Sequence, residues 1–257
     1  MPDLAGKHGL IVGVANKRSI SWAVAQAAAA AGARLALTYP SERLEENVRD
    51  LAATLDGAVV LPCDVTSDQQ IDGLTAALDA EFGGLDFLLH GAAFAPKGDL
   101  DNPVVQTSRE GFRIALDVSA YSLIGLTRAV VPLMKKRGGG TVLTLTYLGS
   151  QRVFTNYNVM GVAKATLDAS VRYLAWDLGQ KDIRVNAVSA GPVRTLAARS
   201  IAGFPTMEAI VEERAPLHRH VDADDVGAAA AYLLSDEAKN VTATTLYVDS
   251  GFHSMGM

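Results

Sequence analysis

The chain of 257 residues is 49% hydrophobic and 20% charged, which excludes a disordered or low-complexity protein. Its 23 basic and 28 acidic residues give a net charge of −5, so neither nucleic acid nor an anionic membrane is expected as the main partner. The single cysteine, Cys63, excludes an intramolecular disulfide, and the amino terminus shows no secretory pattern, so we expect a soluble protein of the cytoplasm.

Segments typical of β-strands alternate with segments typical of helices along the whole chain. The predicted strands are 9–14, 34–39, 58–63, 85–90, 141–147, 183–189 and 244–248. The predicted helices are 19–31, 42–55, 68–82, 109–134, 156–180 and 222–234. This alternation predicts a Rossmann-type α/β fold, a doubly wound parallel sheet of about seven strands with helices on both faces. No linker or charge block divides the chain, and we therefore predict a single domain over 1–257 with ligands at the carboxyl ends of the strands.

The loop from Gly13 to Ile20 joins the first predicted strand to the first helix and is a candidate phosphate site. Free backbone N–H groups at a helix N-terminus bind phosphate oxygens. Of the usual G-x-G-x-x-G pattern only Gly13 is present, although Ala23 could replace the last glycine. Ser19 is predicted to cap the helix and to offer its hydroxyl to a phosphate. An ordinary capped turn explains this loop equally well.

Two further strand ends bear on the choice of dinucleotide. The carboxylate of Asp64 could accept a hydrogen bond from an adenine amino group, although a helix-capping role is the more common one. Positions 39–41 hold neither an acid for a ribose 2′-hydroxyl nor a base for a 2′-phosphate, and the nearest cations are Lys17 and Arg43. This pattern favours NADH over NADPH.

Tyr157 and Lys164 lie on the predicted helix that follows the fifth strand. Their spacing of seven residues is nearly two helical turns, so both side chains share one face. A lysine cation near a phenol lowers the phenol pKa, and such a tyrosine can donate to a developing carbonyl oxyanion. An ordinary amphipathic helix is the alternative interpretation. Tyr147 closes the fifth strand at the same end of the sheet, where packing and substrate contact are equally compatible with its position.

The five histidines form no metal-binding pattern, and no G-x-S-x-G elbow is present.

Several segments together carry a resemblance to a known family. They are 13–20, 109–112, 147–165, 171–174, 184–197 and 247–252. These segments resemble the enoyl-[acyl carrier protein] reductases (NADH) of bacterial type II fatty acid synthesis, within the short-chain dehydrogenase/reductase superfamily. Ordinary superfamily members carry Tyr-x3-Lys, whereas here Gly161 follows Tyr157 by four residues and the lysine follows by seven. Tyr-x6-Lys is the signature of the enoyl reductases, and the similarity covers essentially the whole chain.

The resemblance implies NADH-dependent reduction of the trans-2 double bond of enoyl-acyl carrier protein thioesters in fatty acid elongation. It implies that Tyr147, Tyr157 and Lys164 are catalytic and that Ala95, Tyr147 and Tyr157 contact the substrate. The cofactor-binding residues it implies are Gly13, Ser19, Ile20, Pro40, Asp64, Val65, Ala92, Lys164, Val193, Arg194, Thr195, Leu196 and Ala197. It also implies a mobile lid around 195–214 and a homotetramer, with no bound metal.

The sequence departs from the family pattern at four places, one of which is segment 240–244, which lacks the glycine often found before the last strand. Ala92 is smaller than the usual aliphatic residue, and the side chain of Pro40 cannot hydrogen-bond a ribose. Segment 202–206 has no basic residue, so docking of an acidic carrier protein would need Arg194, Arg199 or Arg214. Two other functions stay open on this scaffold: a carbonyl reductase or alcohol dehydrogenase, and a non-catalytic dinucleotide-binding regulator.

Overall fold

The computed structural model describes residues 2–195, 198 and 203–256. The strands are β1 His8–Val12, β2 Arg34–Tyr39, β3 Val59–Pro62, β4 Phe87–His90, β5 Gly140–Thr146, β6 Ile183–Ala190 and β7 Thr245–Val248. The helices are α1 Ile20–Ala30, α2 Glu42–Ala52, α3 Asp68–Phe82, α4 Lys97–Asp101, α5 Arg109–Leu116, α6 Ser122–Lys136, α7 Asn158–Gly179, α8 Phe204–Arg214 and α9 Ala223–Leu234. Each predicted strand is present, and so is each predicted helix except 109–134, with boundaries that differ by a few residues.

All seven strands pair in parallel, in the order β3-β2-β1-β4-β5-β6-β7. The strand order reverses between β1 and β4, because the chain first builds outward from β1 through β2 to β3 and then returns to the other side. In a doubly wound sheet this switch point opens a crevice at the carboxyl ends of the strands. The predicted fold class is therefore confirmed.

Both faces of the sheet are covered by apolar side chains, as a parallel sheet requires. Successive residues of β1 point to opposite faces: Leu10 packs with Leu74, Leu126 and other residues from the α3 and α6 side. Ile11 packs with Trp22 and other residues from the α1 and α9 side. Burial of one such side chain stabilises the fold by about 1.5–3 kcal/mol.

The predicted helix 109–134 is wrong as a single regular helix. A wide π-type turn over Asp117–Tyr121 separates α5 from α6. There the hydroxyl of Ser122 donates to the carbonyl of Val118 at 2.7 Å. Insertions of this kind are frequent at functional sites, and the apolar periodicity does not reveal them.

The segment 109–136 is also long and apolar enough to span a membrane, although the sequence shows no uninterrupted apolar run of that length. Half of its most apolar window is buried inside the fold. Leu123, Leu126 and Val130 of α6 are fully buried against the sheet, which accounts for the apolar composition of this helix.

Candidate functional site

The carboxyl ends of β1, β4, β5 and β6 lie together at one end of the sheet, which we call the rim. At the rim, the loops after β1 and β4 come into close contact. A side-chain carbon on Gly13 would lie 2.5 Å from the carbonyl carbon of Gly91, and Gly13 has φ +99°, in the region that favours glycine. Gly13 therefore allows the β1 loop to pass close to the switch point, where a dinucleotide would cross the sheet.

Ser19 stands at the N-cap position of α1, but its predicted capping hydrogen bond is wrong. Its hydroxyl oxygen instead accepts from the amides of Ala15 and Asn16, both at 3.1 Å, in the preceding loop. The hydroxyl thus shapes the loop rather than the helix. The first-turn N–H groups of Ile20 and Ser21 have no intrahelical acceptors, and they can bind an anion.

Asp64 shapes a turn in the same way. Its carboxylate accepts from the amide and hydroxyl of Thr66 at 2.9 and 2.8 Å. Ser67 caps α3 by accepting from the amide of Gln70, so the helix-cap alternative for Asp64 is wrong. Val65 is buried beside this turn, and Pro40 is exposed directly after β2.

Tyr157 immediately precedes α7, and its side chain is buried. The ring of Tyr147 meets it edge-on, with 4.9 Å between ring centroids. Ala95 belongs to the same apolar cluster as Tyr157, and Tyr147 packs against that cluster. The structure therefore brings together the three residues predicted to contact substrate.

Burial raises the pKa of Tyr157 well above its usual value, and the neighbouring Tyr147 and Asp168 raise it further. Burial likewise raises the pKa of Tyr147, with a smaller contribution from Asp249. The expectation that Lys164 would lower the pKa of Tyr157 is wrong in this structure, because desolvation of the phenolate is the largest effect. Both phenols keep their protons at neutral pH and can act as hydrogen-bond donors.

Lys164 is 7% exposed, and its Nζ donates to the carbonyl oxygen of Leu145 at 2.7 Å. Burial lowers its pKa to about 8, and the carboxylate of Asp168 opposes that effect. An ammonium group has three N–H donors, and Leu145 is its one hydrogen-bond partner within the described chain. Two donors therefore remain for a ligand.

Gly161 occupies the position where an ordinary superfamily member would carry its lysine. A side-chain carbon there would lie 2.9 Å from the carbonyl oxygen of Gly149. Gly149 is itself confined, because a side-chain carbon on it would lie 2.5 Å from the ring of Tyr157. A lysine at position 161 would force these segments apart, which leaves Lys164 as the lysine at the rim.

His90, at the end of β4, is a polar residue that the sequence did not single out. It is fully buried, with Nδ1 2.8 Å from the hydroxyl of Thr144 and Nε2 2.7 Å from the hydroxyl of Ser122. Burial and, to a lesser extent, Lys164 lower its pKa to about 3. His90 is therefore neutral and links β4, β5 and the start of α6. Ala92, just beyond it, is half-buried.

The segment after β6 connects the rim to α8. Val193 is buried, and the Thr195 hydroxyl accepts from the amide of Ala198 at 3.0 Å. Nε of Arg194 lies 2.7 Å from the carboxylate of Glu208, so an ion pair ties this predicted cofactor residue to α8. The predicted residues Leu196, Ala197 and Arg199 lie outside the described residues.

Helix α8 reaches the two tyrosines through Met207. The hydroxyl of Tyr147 lies 3.1 Å from the sulfur of Met207. Phe204 at the start of α8 is also buried. The helix therefore covers the Tyr147 side of the site, within the 195–214 segment that the resemblance implies is a lid.

Comparison with known proteins decides the family. Residues 13–253 match the family model described as enoyl-(acyl carrier protein) reductase. The chain belongs to this family. The resemblance inferred from the Tyr-x6-Lys segment is therefore confirmed.

Relatives from several bacteria match over nearly their full length. A curated enoyl-[acyl-carrier-protein] reductase [NADH] of Bacillus cereus is 50% identical over 258 residues, covering 100% of each chain. The corresponding reductase of Aquifex aeolicus is 45% identical, covering 99% of this chain and 94% of its own.

Two solved structures of the family superpose closely on this fold. A Bacillus cereus enoyl-acyl carrier protein reductase with NADP⁺ and indole naphthyridinone has a TM-score of 0.97, with 49% identity and 100% coverage of both chains. An Anaplasma phagocytophilum reductase in complex with NAD has a TM-score of 0.95, with 45% identity and coverage of 99% of this chain and 96% of its own.

Proposed function

We propose that the protein reduces the trans-2 double bond of enoyl-acyl carrier protein thioesters with NADH, as a step of fatty acid elongation. The observation that carries this proposal is the buried pair Tyr157 and Lys164 at the rim, with a glycine at position 161 that leaves no room for a lysine. The names of the relatives, which specify NADH, support the same reaction.

A dinucleotide is the proposed ligand of the rim. We propose that the N–H groups of Ile20 and Ser21 hold its pyrophosphate and that the two free donors of Lys164 hold ribose hydroxyls. The adenosine half is assigned to Pro40, Asp64 and Val65, beside the ends of β2 and β3. The nicotinamide half is assigned to Ala92 and to segment 193–197, which includes Val193, Arg194, Thr195, Leu196 and Ala197. Gly13 and Ser19 shape the loop between the halves. When bound, NADH supplies a hydride to the β-carbon of the substrate.

Tyr157 is the proposed donor to the thioester oxygen. As negative charge develops on that oxygen, the hydroxyl donates a hydrogen bond that is stronger to the enolate than to the ground-state carbonyl. The raised pKa of Tyr157 keeps the hydroxyl protonated for this task. A proton from solvent water then adds to the α-carbon and completes saturation. One preorganised donor of this kind lowers the barrier by about 2.7–4 kcal/mol.

We assign the acyl side of the site to Ala95 and Tyr147, covered by α8. In this proposal the sheet and its helices act as one catalytic domain over 1–257, and segment 195–214 is the lid over the acyl chain. The hydrogen bond from Tyr147 to Met207 and the ion pair between Arg194 and Glu208 support this assignment, because both join the lid segment to the rim.

We further propose a homotetramer in the cytoplasm. The outer face of α7 carries Val162, Tyr173 and Trp176 at helical spacing, with Tyr173 75% and Trp176 83% exposed. These side chains suit an interface between two copies of the helix, and β7 provides a free sheet edge. Light scattering should give about four times the 27.0 kDa chain mass, and Trp176→Glu should lower that mass. A wild-type mass of one chain would contradict the tetramer.

Initial rates with a crotonyl thioester test the reaction directly. We expect oxidation of NADH to depend on the thioester, a lower rate with NADPH, and no turnover of simple ketones. Turnover of ketones without turnover of the thioester would support the carbonyl reductase instead. Dinucleotide binding without turnover of either substrate would support the regulator.

A further inference from the structure

Asp168 lies one helical turn after Lys164 on the inner face of α7. Residues four apart on a helix are neighbours, and both side chains are only 7% exposed. A buried carboxylate is costly unless it serves a neighbouring positive charge or is fully hydrogen-bonded.

Only one of the two carboxylate oxygens of Asp168 accepts a hydrogen bond within the described chain. Its Oδ2 accepts from the hydroxyl of Ser150 at 2.5 Å. Its Oδ1 is buried and has no hydrogen-bond partner in the described chain. Arg172 donates to the backbone carbonyl of Asp168 rather than to its carboxylate. The carboxylate of Asp168 therefore has no hydrogen bond from a positively charged group within the described chain, and it lies one helical turn from Lys164.

The other groups around Lys164 are uncharged. From β4 it faces His90, which is neutral because burial lowers its pKa to about 3. From β5 it meets the uncharged carbonyl of Leu145. Asp168 is the one anion that acts on the pKa of Lys164 within the described chain, and it opposes the effect of burial.

We infer that Asp168 is a positioning residue for the reaction: its buried carboxylate, anchored by Ser150, keeps the Lys164 ammonium charged for its contact with the dinucleotide ribose. This inference rests on the proposed role of Lys164 in holding NADH. It assigns a task to a buried charge that the reaction itself does not otherwise use.

NADH affinity measured by fluorescence titration from about pH 6.5 to about pH 9.5 tests the inference. In the wild type we expect affinity to fall above the pKa of Lys164, near pH 8, because the ammonium loses its proton there. In Asp168→Asn the same fall should begin about one pH unit lower, since the loss of a neighbouring opposite charge lowers the pKa of a lysine. Asp168→Ser should shift it in the same direction, and Asp168→Glu should restore the wild-type profile.

Matched variants separate this inference from the proposed function. Ser150→Ala removes the anchoring hydroxyl but keeps the charge, so it should leave the position of the fall nearly unchanged. Lys164→Met should weaken NADH binding and abolish the fall. An unchanged profile in folded Asp168→Asn and Asp168→Ser, beside a clear effect of Lys164→Met, would overturn the role of Asp168 alone. Wild-type affinity in Lys164→Met would overturn both that role and the proposed task of Lys164. Melting temperatures of each variant identify any loss of folding.

Discussion

The β1–α1 loop and the β5–α7 region form two ends of one proposed dinucleotide site, and they are built from different parts of the chain. At the β1–α1 loop, backbone groups dominate: a glycine at a close approach and the free amides at the start of α1. At β5–α7, buried side chains dominate, with Tyr157 and Lys164 set against Asp168 and His90. A site made of backbone tolerates many sequences, whereas a site made of side chains requires a fixed spacing. This difference explains why the glycine pattern is incomplete while Tyr-x6-Lys is intact.

The largest effect is expected from Tyr157→Phe, which removes the proposed donor and leaves the backbone end of the site untouched. Loss of one oxyanion donor should lower kcat about 10²–10³-fold. NADH affinity should stay within about a factor of two, since the phenol acts on the substrate oxygen. Tyr232→Phe, on α9 and 38% exposed, is the matched control and should keep full turnover. Unchanged kcat in Tyr157→Phe would refute the donor role.

Lys164→Met should act mainly on binding. A hydrogen bond from a charged group contributes about 1.5–3 kcal/mol, which corresponds to roughly a 10–100-fold rise in the Kd of NADH. Lys181→Met, at the exposed end beyond α7, removes the same charge away from the rim and should leave the Kd unchanged. Equal NADH affinities in Lys164→Met and Lys181→Met would contradict the proposed role of Lys164 in binding NADH.

Gly91→Ala tests the backbone end. The added carbon would lie 2.1 Å from the hydroxyl of Ser21 in α1 and 2.9 Å from the carbonyl of Val12 in β1, so the loop after β4 must shift away from them. We expect a loss of about 1–3 kcal/mol in the free energy of unfolding, with weaker NADH binding. Gly73→Ala in α3 meets no atom within 4 Å and should stabilise the helix by about 0.5–1 kcal/mol. A Gly91→Ala protein as stable as the wild type would show that this contact can relax.

His90 should make the free energy of unfolding depend on pH, with a change for each pH unit that is smaller than the effects above. Its pKa is about 3 in the folded chain against 6.5 in the unfolded chain, so the folded state binds fewer protons between these values. The free energy of unfolding should therefore fall by up to about 1.4 kcal/mol for each pH unit below 6.5, with no contribution above it. Urea unfolding of His90→Gln should show a flatter dependence in this window, whereas exposed His218→Gln should not. A slope unchanged by His90→Gln would contradict a neutral buried imidazole.

The sequence predicted the parallel sheet because buried parallel strands are short apolar runs such as Phe87–His90, bounded by helices. The spacing of Tyr157 and Lys164 predicted that both lie on one helix, whereas in the structure Tyr157 immediately precedes α7 and Lys164 lies within it, and both are buried. The sequence predicted the opposite sign for the Tyr157 pKa shift, and it did not predict the hydrogen bonds of His90 or the ion pair of Arg194 with Glu208. These features depend on contacts between residues that are distant in the sequence, and the local pattern of apolar and polar residues does not indicate such contacts.

A crystal structure of the chain with NAD⁺ bound is the most direct test of the central claim. The account predicts that Nζ of Lys164 lies within hydrogen-bond distance of the nicotinamide ribose hydroxyls and that the Tyr157 hydroxyl faces the space beside the nicotinamide ring. A complex in which both side chains turn away from the ribose and the ring would contradict the claim.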